Sequence, residues 1–89
     1  MKVIVSVVGK DQVGIIAKVC AMLAENGANV LDISQTILQG YFTMIMVVDI
    51  SACNVSFTEL SERLKLNGQE IGMDIHMQRE DIFEAMHRI

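Results

Sequence analysis

The spacing of hydrophobic residues changes along this chain, and each change marks the boundary of an element. From Met1 to Val8, Val3, Val5 and Val7 fall on one side and Ile4 and Val8 on the other. A strand that is apolar on both sides belongs in the middle of a sheet. The spacing then becomes helical: Ile15, Ile16, Val19, Cys20 and Leu23 form one stripe, with Lys18, Glu25 and Asn26 mostly outside it. This predicts a helix from about Gln12 to Asn26, with Asp11 as its N-cap and Gly27 closing it in the left-handed conformation.

From Asn29 to Gln39 the period is two. Leu31, Ile33 and Ile37 share one side, and Asp32, Ser34 and Thr36 the other, which predicts a half-buried strand near an edge. A hairpin at Gln39-Gly40 leads into Tyr41 to Ile50, where Phe42, Met44, Met46, Val48 and Ile50 make one apolar face and Ile45 and Val47 lie opposite. That pattern again predicts a central strand. Ser56 and Glu59 have the spacing of a capping box, and Val55 and Leu60 that of a hydrophobic staple. The second helix carries Phe57, Leu60 and Leu64 on its buried stripe and is predicted to end at Asn67-Gly68. The last strand, Glu70 to Gln78, alternates Ile71, Met73, Ile75 and Met77 against Gly72, Asp74, His76 and Gln78, which predicts a second edge strand.

The order is βαββαβ. Right-handed crossovers place both helices on one face, and the two-sided strands take the middle, giving an antiparallel sheet of order 4-1-3-2 in an α+β, ferredoxin-like sandwich. One sheet face is left uncovered, with Ile4, Ile45 and Val47 among polar residues such as Ser6 and Thr43. Residues 1-78 form this domain. Residues 79-89 form a C-terminal extension, in which Ile82, Phe83, Met86 and Ile89 recur at helical spacing. So short a helix must dock to persist, on its own domain or on a partner subunit.

Charge and composition exclude several functions. With 89 residues the chain makes one domain, small enough for association to add to its stability. A formal charge of -4 gives no electrostatic hold on nucleic acid or anionic membrane. No apolar run reaches the ~20 residues of a membrane-spanning helix, and the chain enters its first strand without a signal-peptide profile, so a cytoplasmic location is expected. Cys20 and Cys53 read as free thiols, and together with His76 and His87 they show no metal-ligand spacing. An RNA-binding sheet of this outline needs exposed aromatic and basic residues, of which Tyr41 is the one aromatic candidate on its strand. A phosphate-cleaving enzyme needs an arginine in the first loop, which offers only Lys10. No nucleophile and base can be paired from spacing. A small enzyme is thus the weaker reading, and no catalytic residue and no cofactor are assigned.

What remains is the loop Val8-Gly9-Lys10-Asp11-Gln12-Val13-Gly14-Ile15-Ile16. Gly14 has no Cβ, so a ligand can approach the amides around it, and the start of a helix favours an anion such as a carboxylate. Physically this is also what any capped helix start looks like.

Val7-Val8-Gly9-Lys10-Asp11-Gln12-Val13-Gly14-Ile15-Ile16-Ala17-Lys18-Val19, followed by Asn29-Val30-Leu31-Asp32-Ile33-Ser34-Gln35, resembles the ACT domain, a regulatory module that binds amino acids. With Tyr41-Phe42-Thr43-Met44 and the ending Ile82-Phe83-Glu84-Ala85-Met86, the chain is similar to the small stand-alone UPF0237 proteins and to the ACT repeats of the glycine cleavage repressor. Val13 stands where the family usually has proline, which leaves the loop less rigid. The resemblance implies an amino acid or similar ligand held between the first loop and the start of the second strand, commonly at a subunit interface. It implies ligand-binding roles for Asp11, Val13, Gly14, Ile15, Asn29, Asp32 and Ile33. The amides of Val13 to Ile16 suit a carboxylate, and Asp11, Asn29 or Asp32 an ammonium group. The expected partners are that ligand, further copies of the chain in a homodimer or higher oligomer, and a separate regulated protein. The alternative is a structural or interaction dimer without a ligand.

Overall fold

The computed structural model describes residues 1–80. Strands β1 (Lys2–Lys10), β2 (Asn29–Leu38), β3 (Tyr41–Asp49) and β4 (Met73–Arg79) alternate with helices α1 (Ile15–Glu25) and α2 (Phe57–Glu70) in the order βαββαβ. All pairings are antiparallel and the sheet order is β2-β3-β1-β4, the ferredoxin-like arrangement. The expected topology holds because β1 and β3, apolar on both sides, are best covered in the middle of the sheet. The core lies between sheet and helices. Val3, Val5 and Val7 of β1 and Met44, Met46 and Val48 of β3 meet Val19 and Leu23 of α1 and Leu60 and Leu64 of α2, all fully buried. On the other face Ile4 is 6% exposed and Ile45 37% exposed.

Local signals explain most boundaries. Gln39 and Gly40, at φ 52° and 81°, make the two-residue hairpin between β2 and β3. At the end of α1, Gly27 N–H donates to Ala24 O and Ala28 N–H to Leu23 O, with Gly27 at φ 78°, so the chain leaves the helix through a Schellman motif. Ser56 caps α2 by accepting a hydrogen bond from Glu59 N–H at 3.2 Å. The reciprocal half of the capping box does not form, because the Glu59 carboxylate accepts instead from Arg63 at 3.0 Å.

Four expectations need correction. Asp11 is not the N-cap of α1: the helix starts at Ile15, Gly14 takes the cap position at φ 78°, and no side chain caps it. The second helix does not stop at Asn67-Gly68 but runs to Glu70, and the left-handed glycine beyond it is Gly72 at φ 73°. Gly68 is buried within the helix, where α2 lies against Ile75 of β4. Consequently β4 begins at Met73 and Ile71 ends the helix. Finally, β2 is an edge strand but is not half-buried. The helices leave it largely open, with Ile33 40% and Ile37 56% exposed. Its register shifts between Val30 and Asp32, so Val30, opposite Val48, takes the helix-facing place expected of Leu31. The C-terminal extension expected over 79-89 lies almost wholly outside the described residues.

Candidate functional site

The turn from β1 into α1 forms one wall of a groove of about 250 Å³. Strand β1 extends to Lys10, and Asp11 N–H donates to Gly40 O at 2.9 Å, which pins the turn to the β2–β3 hairpin. Gly14 then reverses the backbone in the left-handed region, a conformation that a side chain disfavours, and nothing lies within 4 Å of where its Cβ would stand. The first turn of α1 thus carries no side-chain cap and opens onto free space. Its amide hydrogens are the unpaired donors of a helix start.

The opposite wall comes from the second half of β2 and from β3. Gln35 and Ile37 face it from the helix side of the sheet, with Phe42 beneath, across from Asp11, Gln12, Ile15 and Ile16. Gln12 has a second duty: its Nε2 donates to Ile71 O at 2.6 Å, tying the loop to the end of α2, and its Oε1 accepts from Lys18 Nζ at 3.5 Å. Chemically, the groove pairs a row of donors at one end with a carboxylate on the rim and an aliphatic wall.

Of the residues anticipated from sequence, Asp11, Gly14 and Ile15 line this groove. Val13 does not; it is 96% exposed on the outside of the turn. Asn29 sits at the other end of β2, opposite Asp49, roughly 25 Å along an extended strand from Ile37. Asp32 points to the opposite sheet face, opposite Val47, and accepts a hydrogen bond from Ile33 N–H at 2.9 Å. Ile33 shares the helix-facing row with Gln35 and Ile37 but stops short of the groove. Within one copy, then, it is the end of the second strand that meets the loop. Sequence reasoning gave no ligand role to Gln12, Ala17, Gln35, Ile37 and Phe42, and gave Ile16 one only through its amide. The signal for Gln35 was present: it is the polar interruption in the row Ile33-Gln35-Ile37.

Away from the groove the chemistry is sparse. Among the described residues, no three His, Cys, Asp or Glu side chains converge on a point that could hold a metal ion. Cys20 and Cys53 are free, and burial, reinforced by the Asp49 carboxylate, pushes the Cys53 thiol up and away from reactivity. His76 Nε2 lies 3.0 Å from Asp74 on the exposed sheet face, where both side chains are largely solvated. Asp49, at the far end of the sheet from the groove, is held below the ordinary carboxylate range by the Ser51 hydroxyl and backbone N–H and by the chain's amino terminus.

Comparison with known proteins places this arrangement. The sequence profile of the ACT domain matches residues 2–78. The chain belongs to the ACT domain family. A UPF0237 protein of Methanocaldococcus jannaschii is 52% identical over 99% of this chain and 98% of its own length. An ACT domain protein from Streptococcus pneumoniae superposes with a TM-score of 0.83 at 47% identity, covering 98% of each chain. The ligand-free regulatory subunit of aspartate kinase from Thermus thermophilus superposes with a TM-score of 0.68 at 29% identity, covering 89% of this chain and 51% of that one. ACT domains are regulatory, ligand-binding modules, and this chain has the fold of one. No helix among the described residues is long and apolar enough to cross a membrane.

Proposed function

We propose that this protein is a non-enzymatic regulatory module that binds an amino acid or a similar small zwitterion in the groove between the α1 turn and β2. The observation that carries the reading is the uncapped first turn of α1 behind Gly14, facing an open groove with Asp11 on its rim. Helix-start amides receive the ligand carboxylate and Asp11 its ammonium group. The output is a change in self-association or in contact with a separate regulated protein in the cytoplasm. Such a change is no larger than the ligand's differential affinity for the two states.

The exposed edge of β2 supports a homodimer as the working form. Antiparallel pairing of two β2 strands about a two-fold axis near their middle extends the sheet. It also sets the beginning of the second copy's β2 beside Gln35 and Ile37. In this reading the start of the second copy's β2, with Asn29 and Ile33, borders the site, while Asp32, whose side chain points to the opposite sheet face, stays outside it and Val13 is a rim residue. The second reading, a dimer without a ligand, draws on the same exposed apolar edge, which carries Leu31, Ile33 and Ile37. A thermal-shift screen of the standard amino acids at millimolar concentration, backed by calorimetry, decides between them. Specific binding raises the melting temperature by mass action. A flat screen on a dimeric protein sinks the ligand reading and leaves the interaction dimer.

A further inference from the structure

The groove's lining narrows the ligand beyond the class of amino acids, and this step rests on the site reading above. Among the described residues that line it, Asp11 is the single charged side chain. The other polar side chains are the amides of Gln12 and Gln35, and the remaining surface comes chiefly from Ile16, Ile37 and Phe42. An acidic ligand side chain would find no cation among the lining residues, the Lys18 ammonium being turned onto Gln12 Oε1 at 3.5 Å, and would meet a carboxylate at the rim. A basic one would have to share Asp11 with the ligand's own ammonium group. Losing the hydration of a charge without gaining a partner is costly, so the lining discriminates against both. A volume of about 250 Å³ is small for a binding site and matches a molecule of amino-acid size.

Gln35 is the residue that distinguishes this wall from a plain apolar one. Both ends of the Gln12 amide are already engaged, with Ile71 and Lys18. Gln35 lies opposite Met44 in the helix-facing row between Ile33 and Ile37, and its amide makes no hydrogen bond among the described residues. A primary amide offers an acceptor for an ammonium group and donors for a carboxylate, so it suits a zwitterion without favouring either charge. We infer that the groove selects amino acids with an uncharged aliphatic side chain, and that Gln35 binds their head group while Ile16 and Ile37 take the side chain.

Calorimetry on the full chain with valine, leucine, isoleucine, glutamate and lysine tests this. The expected result is an affinity for at least one aliphatic amino acid about tenfold or more above that for glutamate and lysine, the scale of one unpaired polar or charged group. Glutamate or lysine binding as tightly as the aliphatic ligands overturns the selectivity while leaving the site reading in place. No binding by any of the five, together with a flat screen of the remaining amino acids, removes the site reading itself. Two exposed-rim variants refine the outcome. Gln35→Leu should weaken every amino acid several-fold without lowering the melting temperature of the unliganded protein, and unchanged affinities would remove Gln35 from the site. Ile37→Lys supplies the missing cation and should shift preference toward glutamate. If the ratio of leucine to glutamate affinity stays as in the parent, the aliphatic chain does not lie against Ile37 and the proposed pose is wrong.

Discussion

Asn26 shows how a single polar residue joins the two helices. It is 6% exposed, and among the described residues it is the one buried polar side chain. Its Nδ2 donates to Met22 O at 2.8 Å, and its Oδ1 accepts from Arg63 Nη1 at 2.7 Å, so the end of α1 is fastened to the second turn of α2. Asn26→Ala leaves the Met22 carbonyl and the Arg63 guanidinium without this partner. A loss of about 1–3 kcal/mol is expected, read as a lower urea midpoint, and a loss within error would show that water replaces both bonds. Asp49 supplies a pH-dependent counterpart. Its pKa is lowered in the folded chain, first by the Ser51 hydroxyl and then by the Ser51 N–H. The folded state therefore binds its proton less readily than the unfolded state. The resulting stability is present above the unfolded aspartate value of about 3.9 and is lost as pH falls through the folded value. Ser51→Ala should move the Asp49 titration upward in an NMR pH series, and an unmoved midpoint would assign the shift to the backbone N–H of residue 51 and the amino terminus.

At the scale of elements, Gly68 decides how closely α2 approaches the sheet. A Cβ there would stand 2.8 Å from Ile75 Cγ1 and 2.9 Å from the backbone oxygen of Met73. Alanine would gain about 1 kcal/mol of helix propensity, but overpacking a buried contact costs about 1–3 kcal/mol, and a backbone oxygen cannot rotate aside. Gly68→Ala should be destabilising on balance in urea denaturation; a neutral result would mean that α2 can lift from β4 at no cost. The same glycine explains what could be read from the sequence and what could not. Strand alternation, the Ser56 cap and the Gly27 closure depend on neighbours in the chain, so the element order and sheet order followed from them. Asn67-Gly68 has the local look of a helix end, yet its role is set by Ile75, a contact made only after folding. The turn at Gly14 and the bulge at Leu31 failed for a related reason, since backbone geometry there follows the β1–α1 connection and the β2–β3 register. The groove was half legible: Asp11, Gly14 and Ile15 belong to one loop, whereas Gln35, Ile37 and Phe42 reach it through hairpin pairing.

For the whole molecule, the open question is what lies beside β2. An edge strand of ten residues presents an unpaired row of backbone donors and acceptors, and natural edges are commonly blunted by lysine or proline. Between Asn29 and Leu38 there is neither, and Asp32 is the one charged residue. The apolar side chains Leu31, Ile33 and Ile37 are each at least 40% exposed there, so the strand has the features of an interface rather than of a guarded edge. A homodimer built on this edge predicts that sedimentation equilibrium gives twice the chain mass at micromolar concentration, and that the melting temperature rises with protein concentration. Leu31→Lys places a charge on the edge at a residue the site reading does not use, and should yield monomers that keep the far-UV circular dichroism of the parent. Because the site reading sets the start of the second copy's β2, with Asn29 and Ile33, beside the groove, the same variant should also weaken amino-acid binding at protein concentrations where the parent is dimeric. A monomeric variant with parental affinity would confine the site to one copy and separate ligand binding from assembly.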